Sequence, residues 1–268
     1  MRDDVPRYTF GDTPAAARRL ELLSDAFEAS TRAFLADAAP RAPRVALDLG
    51  CGPGASTRLM AEVTGAKRAV GVDTSTAFLD VAASRSAPGQ VFVRHDATTL
   101  PLPGAPADLI YCRLLLAHVP DPAATVRVWA TQLAPGGRLL VDEMEWIDAS
   151  HPVLAAYEAV VLGLVASRGA PMYAGPTVAT ILGAPGWRQC RNTVRRVSIP
   201  APTAARIYEL NLGAFRDDPH IRDRHSADQL DDLARDLRAL AESTGADPVV
   251  WAVRQVAFER EGPVDAAD

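Results

Sequence analysis

From Arg44 onward, short apolar runs alternate with amphipathic stretches, and that rhythm constrains the fold more than any other feature of the chain. Runs at 45–49, 69–72, 91–93, 109–111 and 138–141 are too short for helices and read as buried strands. Helical spacing fills the gaps, near 55–64, 75–86 and 122–133. Asp121-Pro122 opens the last of these with an N-cap acid, then a proline at the first helical position, where the missing N–H has no partner to lose. Such alternation predicts an α/β fold: a Rossmann-like, doubly wound sheet with helices on both faces. Upstream, Thr13-Pro14 repeats the helix-start signature. Leu20, Leu23, Phe27, Phe34 and Leu35 then recur at helical spacing to about Asp37, and Pro40 and Pro43 stop the helix.

After Trp146 the rhythm breaks. An apolar helix is expected over 152–166, a glycine- and proline-rich stretch over 169–187, late strands at 191–199 and 249–259, and charged helical sequence near 203–242. The expected organisation is an N-terminal helical segment (1–43) over a ligand cleft and a core (44–147). Insertions at 148–188 and 200–246 form a helical lid over the sheet's carboxyl edge, and the final strands lie in 189–199 and 247–262.

Composition removes several function classes. The net charge of −5 and pI of about 5.6 argue against nucleic acid as a main partner. Lys67 is the single lysine and no GxxxxGK surrounds it, so a phosphate-loop lysine is excluded. Cysteines at 51, 112 and 190 show no metal-ligand spacing, so no metal is expected, and an odd, sparse count suits a reducing compartment. No signal region and no apolar run long enough for a bilayer is seen, so the expectation is a cytoplasmic protein without a membrane partner.

The stretch VALDLGCGPGAST, 45–57, carries the chemistry. Gly50, Gly52 and Gly54 lie between a predicted strand and a predicted helix, where glycine permits a tight turn and close backbone approach to a ligand. GCGPGA also fits the relaxed dinucleotide fingerprint GxGxx[G/A]. Charge favours a different ligand. Asp48, two residues before the first glycine, would repel a pyrophosphate, and Pro53 lacks an N–H for a phosphate. A nucleoside with a sulfonium and an ammonium, and no phosphate, suits an acid at this place. Asp73, in GVDTS at the end of the next strand, can accept ribose hydroxyls, with Thr74 beside it. Asp96, in RHDATTLP, can accept the exocyclic amine of adenine, and the Ala97 N–H can meet a ring nitrogen. Three acids at three successive strand ends mark the edge where open α/β sheets bind ligands.

DLGCGPG, GVDTS, RHDATTLPLPGAPADLIYCRLLLAHVPDP and LAPGGRLLVDEMEW together resemble the successive motifs of class I S-adenosylmethionine-dependent methyltransferases. Within that class the chain is most similar to small-molecule enzymes of the ubiquinone-biosynthesis and trans-aconitate type, including those of natural-product pathways. The resemblance covers 44–146 well and extends weakly to the N-terminal helix and VVWAVRQVAFER. It implies a seven-stranded sheet of order 3-2-1-4-5-7-6 with strand 7 antiparallel. It implies S-adenosylmethionine as cofactor, with Asp48 and Gly50 at the methionine part, Asp73 at the ribose, Asp96 and Ala97 at the adenine, the Arg113 carbonyl at the amino group, and Tyr8 folding over the cofactor. The region 148–246 departs from the pattern and leaves the acceptor open.

Acceptor contacts are sought after strands four and five. His118 and His151 are candidate bases. Glu143 and Glu145, two apart on a strand, are candidates to bind a cationic amine or take a proton, and Trp146 and Tyr173 to wall an apolar pocket. The bland alternatives are a packed or capping histidine, a solvated acid and core aromatics. Arginines at 188, 191, 195 and 196 read best as edge-strand charge that deters pairing. His220 and His225 read as a solvated loop. The expected activity is methyl transfer to O, N or C of a small organic acceptor in secondary metabolism, with a homodimer left open. The alternatives are a cyclisation or rearrangement on the same cofactor fold, a non-catalytic binding protein, a nicotinamide dehydrogenase and an aminopropyl transferase.

Overall fold

The computed structural model describes residues 11–119, 121–148, 150–169, 171–181, 186–244 and 246–261. Tyr8 lies outside them. Thr13 caps helix α1 (Pro14–Ala38), its hydroxyl accepting the Ala16 N–H at 3.2 Å. The core then runs β1 (Val45–Leu49), α2 (Ala55–Thr64), β2 (Arg68–Asp73), α3 (Thr76–Ser84), β3 (Gln90–Arg94), β4 (Ala107–Arg113), a 3₁₀ turn (Leu116–His118), α4 (Pro122–Ala130) and β5 (Leu133–Ile147). Asp121 caps α4 through the Ala124 N–H at 2.9 Å.

Next come α5 (Pro152–Ser167), α6 (Gly175–Ala179), β6 (Trp187–Ile199), α7 (Ala201–Phe215), the single turn α8 (Pro219–Arg222), α9 (Ala227–Ala241) and β7 (Val249–Arg260). One sheet holds all seven strands in the order β3-β2-β1-β4-β5-β7-β6. β1 to β5 pair in parallel, and β7 runs antiparallel to both β5 and β6. The expected fold class is therefore the observed one.

Two apolar layers cover the sheet's faces. Leu47, Val70, Ile110, Leu139 and Val256 point into the layer shared with Trp129 of α4 and Val178 of α6. Ala46, Ala69, Leu109 and Leu140 pack against Phe34 and Leu35 of α1 and Met60 of α2. A third cluster joins Phe27 of α1 to Leu154 and Leu164 of α5, Leu212 of α7, Leu237 of α9 and Trp251 of β7. Through it a row of rings runs from Phe27 to Trp251 (5.9 Å), Tyr208 (5.8 Å) and Tyr157 (4.0 Å). The segments after Trp146 thus pack with α1 as one helical mass. Within it His220, expected in a solvated loop, lies on α8 with a buried Nε2. β6 forms the sheet's edge. Arg188 pairs there with Glu259 at 2.9 Å, Arg191 with Asp37, and Arg196 lies over the Trp146 ring at 5.1 Å.

Candidate active site

A cavity of about 560 Å³ opens at the carboxyl ends of β1, β2, β3 and β4, under α1 and the end of α5. Its floor is the turn after β1. The Gly50 and Cys51 N–H groups donate to the Val72 carbonyl at 2.8 and 3.0 Å, and the Gly52 N–H donates to Asp73 Oδ2 at 2.8 Å. Asp73 Oδ1 accepts the Ser75 N–H at 2.9 Å, so this carboxylate stiffens the turn while it lines the cavity beside Thr74. Burial raises its pKa, and the N–H groups of Ser75 and Gly52 oppose the rise.

Gly50 and Gly52 line the cavity. Gly52 has φ +51°, and a Cβ there would stand 3.3 Å from Leu20 of α1. Gly54 differs. Its φ of +80° opens α2, and a Cβ would lie 2.8 Å from Ala82 and 2.9 Å from Phe92, so it serves packing rather than the ligand. Asp48 also departs from its expected place. It lies behind the turn, fully buried, its Oδ2 accepting the Ser56 and Thr57 hydroxyls at 2.6 Å each, and it is absent from the lining. Burial pushes its pKa up to about 6. From there it supports the turn from beneath.

At the other rim Asp96 and Ala97 line the cavity. Asp96 Oδ1 accepts both the N–H and the hydroxyl of Thr98, and the Ala97 carbonyl accepts Trp129 Nε1 at 2.7 Å, which fixes this corner. Arg113 lines the cavity at the end of β4, and its guanidinium donates to Ser24 (2.8 Å) and Thr31 (3.2 Å) of α1. It therefore straps α1 to the sheet. The next residue, Leu114, holds φ +53°, a conformation that non-glycine residues rarely adopt. Asp142, buried on β5, completes the strap: it faces the Thr31 hydroxyl and Gln255 Nε2, and burial lifts its pKa to about 6.

The acceptor-side expectations divide. Glu143 is buried, and its Oε1 accepts the Leu115 and Leu116 N–H groups at 2.8 Å each. It anchors the loop after β4 instead of facing an acceptor. Burial pushes its pKa up to about 7 against the pull of those two N–H groups. Glu145 does not join it. A bulge between Met144 and Trp146 shifts the register there, and Glu145 is held by Arg254, with Nε–Oε2 at 2.7 Å. Trp146 stacks under Arg196, and the Tyr173 hydroxyl donates to Glu158 at 3.1 Å. None of these four lines the cavity, so the expected substrate roles are corrected. His151 precedes α5 as its N-cap residue and is likewise outside the lining.

His118 does line the cavity. Burial pushes its pKa down to about 3, and the Arg19 and Arg168 charges push the same way. The lowered basicity weakens the ring as a proton acceptor. Arg19, nearly fully buried on α1, and Arg168, just after α5, also line the cavity and are not among the expected site residues. Arg19 sits within the apolar stripe of an amphipathic helix, and a charged residue in phase with that stripe is the available signal. Arg168 had no sequence signal, because only the packing of α5 brings it to the cleft.

Among known proteins, the chain matches the family described as methyltransferase domain over residues 47–141. It is 44% identical over 119 residues to a trans-aconitate 2-methyltransferase of Methylobacterium radiotolerans, covering 44% of this chain and 45% of that one. A trans-aconitate 2-methyltransferase of Azoarcus sp. is 31% identical over 209 residues, covering 78% of this chain and 66% of its own length. The chain thus spans about half the length of the first of these relatives and about two thirds of the second. A solved complex of the Haloferax volcanii Trm112 methyltransferase activator with a methyltransferase contains a chain of the same fold. Its TM-score is 0.61 at 15% identity, covering 97% of this chain and all of that one.

The chain belongs to the class I S-adenosylmethionine-dependent methyltransferases. S-adenosylmethionine is the cofactor. The methyltransferase's own residues fit that molecule on two observations. The side of the turn that faces α1 would be filled by a Cβ on Gly52, so a ligand's chain can pass close to the backbone there. Asp73 and Asp96 also line the cavity, where carboxylates can accept a nucleoside's ribose hydroxyls and adenine amine. Among the described residues of this methyltransferase no cluster of metal-ligating side chains occurs, and no helix is long and apolar enough to cross a membrane.

Proposed function

We propose that the protein transfers a methyl group from S-adenosylmethionine to oxygen, nitrogen or carbon of a small organic acceptor, in secondary metabolism. The observation that carries this reading is the single cavity wall in which Gly50, Gly52, Asp73, Asp96 and Ala97 meet at successive strand ends. The relatives' name, trans-aconitate 2-methyltransferase, supports a small acceptor. Asp73 takes the ribose, Asp96 and Ala97 the adenine, and Gly50, Gly52 and the Arg113 carbonyl the methionine part. When bound, the cofactor supplies an electrophilic methyl group on a sulfonium, which leaves as a neutral thioether once the acceptor's electron pair forms the new bond. The chain's task is then to align the acceptor and exclude water. Helix α1 and the end of α5 border the cavity and serve that task. His118 lines the cavity and can hydrogen-bond an acceptor there.

Titration calorimetry with S-adenosylhomocysteine tests the cofactor site. Asp73→Ala is expected to weaken binding by about 1–3 kcal/mol, the scale for losing charge-assisted hydrogen bonds. Unchanged affinity removes the ribose role. Demethylated cofactor released in proportion to product separates methyl transfer from a cyclisation on the same fold, which consumes none.

A further inference from the structure

The segment after β3, residues 95–100, forms one corner of the cavity through His95, Asp96, Ala97 and Thr98. Several bonds fold it onto itself. The Thr99 N–H donates to the Asp96 carbonyl at 2.9 Å, His95 Nε2 lies 2.8 Å from the Thr99 carbonyl, and both Thr98 donors fall on Asp96 Oδ1, at 2.8 and 2.7 Å. Thr98, Thr99 and Leu100 are exposed, and Ala97 alone in the segment is buried. Its carbonyl ties the corner down: Trp129 Nε1 of α4 donates to it at 2.7 Å. Trp129 is fully buried in the apolar layer with Leu102, Leu116, Val119 and Val126, and it stands outside the cavity lining. Apolar bulk alone would serve packing at that position. The indole N–H adds a bond between two buried polar groups, each of which would lose a partner without the other. That bond restrains residue 97 from turning and holds the backbone of Asp96 and Ala97 in one pose.

Building on the placement of adenine at Asp96 and Ala97, we propose that Trp129 is a positioning residue that sets the cofactor site's selectivity for a 6-aminopurine. Asp96 offers an acceptor and the Ala97 N–H a donor, one residue apart. The adenine edge offers their complements, a donor at the 6-amino group and an acceptor at N1. A 6-oxopurine carries an acceptor and an N1–H in those places, so it mismatches both protein groups. Such discrimination needs the two groups at a fixed spacing. Thr98 sets the Asp96 carboxylate, and Trp129 sets the backbone at Ala97. An untethered corner can turn until a 6-oxopurine finds other partners. Loss of the indole bond therefore narrows selectivity, and does more than lower affinity.

Calorimetric titration with S-adenosylhomocysteine and with S-inosylhomocysteine, its 6-oxo counterpart, tests this. Wild type is expected to bind the adenosyl ligand at least about tenfold more tightly. Asp96→Ala is expected to erase most of that preference. If it leaves the preference intact, adenine does not sit at this corner, and the inference falls with that placement. Trp129→Phe keeps an aromatic ring in the core and removes the N–H, and it is expected to narrow the preference about fivefold or more. Trp129→3-benzothienylalanine swaps the N–H for sulfur at nearly the same volume and supplies the same measurement where the phenylalanine variant fails to fold. Val126→Ala loosens the same apolar layer without touching the bond. It is expected to keep the wild-type preference at a lower Tm. The role of Trp129 is overturned, with the adenine placement left standing, if Asp96→Ala erases the preference while the Trp129 variants retain it, or if Val126→Ala narrows it as far as they do. A wild-type protein that binds both ligands equally overturns placement and role together.

Discussion

Gly52 and Gly54 stand two residues apart in one motif, share a left-handed backbone, and do different work. Gly52 faces the cavity and α1, while Gly54 faces Ala82 and Phe92 inside the sheet layer. Substituting them should separate binding from folding. Gly52→Val puts a branched side chain where the cofactor's methionine part passes, so affinity for S-adenosylhomocysteine should drop below detection while the variant still melts cooperatively. Gly54→Ala needs a Cβ 2.8 Å from Ala82 and should instead lower stability by about 1–3 kcal/mol, read as a fall of several degrees in Tm. A Gly54 variant of normal stability with lost binding would reverse the two assignments. The motif alone could not tell them apart. GxGxG reports a tight turn, and only the packing of Ala82 of α3 and Phe92 of β3 against Gly54 decides which glycine looks outward. Asp48 was misplaced for the same reason. Its position before the turn is plain in the sequence, but the Ser56 and Thr57 hydroxyls that claim it come from the following helix.

At the scale of elements, the loop after β4 is held by a charge on a neighbouring strand. Glu143 of β5 receives the Leu115 and Leu116 N–H groups, and Leu114 adopts positive φ to present them. An acid pushed from 4.5 up to about 7 binds a proton more readily folded than unfolded. Its stabilising contribution is therefore complete below the unfolded pKa and is lost as pH rises through the folded one. Glu143→Gln keeps a carbonyl for both N–H groups and cannot ionise. Relative to wild type, the variant should gain stability between about pH 5 and about pH 8, by roughly 3 kcal/mol at most. Paired thermal melts at the two pH values check this, and a constant difference would show that the carboxyl does not ionise in place. The same strand shows the limit of periodicity. Its apolar signal covered 138–141, yet β5 runs Leu133–Ile147, because Gly136 and Gly137 break the pattern before it and Asp142 and Glu143 after it. Buried charges in a strand become intelligible only once Thr31, Gln255 and the loop N–H groups are seen to meet them. In β1, despite the buried Asp48 within it, and in α2 the expected and observed bounds coincide.

The whole molecule joins a sheet whose rhythm is written in local sequence to a helical mass whose arrangement is not. Strand–helix alternation gave the parallel half, but the insertion of β7 between β5 and β6 is a long-range pairing with no local signal, and motif resemblance supplied it. The convergence of α1, α5, α7 and α9 on Trp251 has no periodicity of its own, so the arrival of Arg168 in the cavity lining has no local signal. This architecture seals three carboxyls in the interior: Asp48 and Asp142 rise from 3.8 to about 6, and Glu143 from 4.5 to about 7, each driven first by burial. His118 moves the opposite way, from 6.5 to about 3. Between about pH 5 and about pH 7 the unfolded chain has released the three carboxyl protons that the folded state retains in part, which makes stability fall as pH rises. The histidine opposes this, since its unfolded form takes up a proton below 6.5, but it is one group against three. Acids with lowered pKa, such as Glu21 and Glu259, titrate below that window. The cofactor-free protein should therefore melt at higher temperature near pH 5 than near pH 7, with a net slope on the order of 1 kcal/mol per pH unit. Calorimetric melts at constant ionic strength measure it directly. A Tm that climbs with pH across this range would mean that the interior carboxyls are ionised in the fold and that the strap of α1 to the sheet is a charged network.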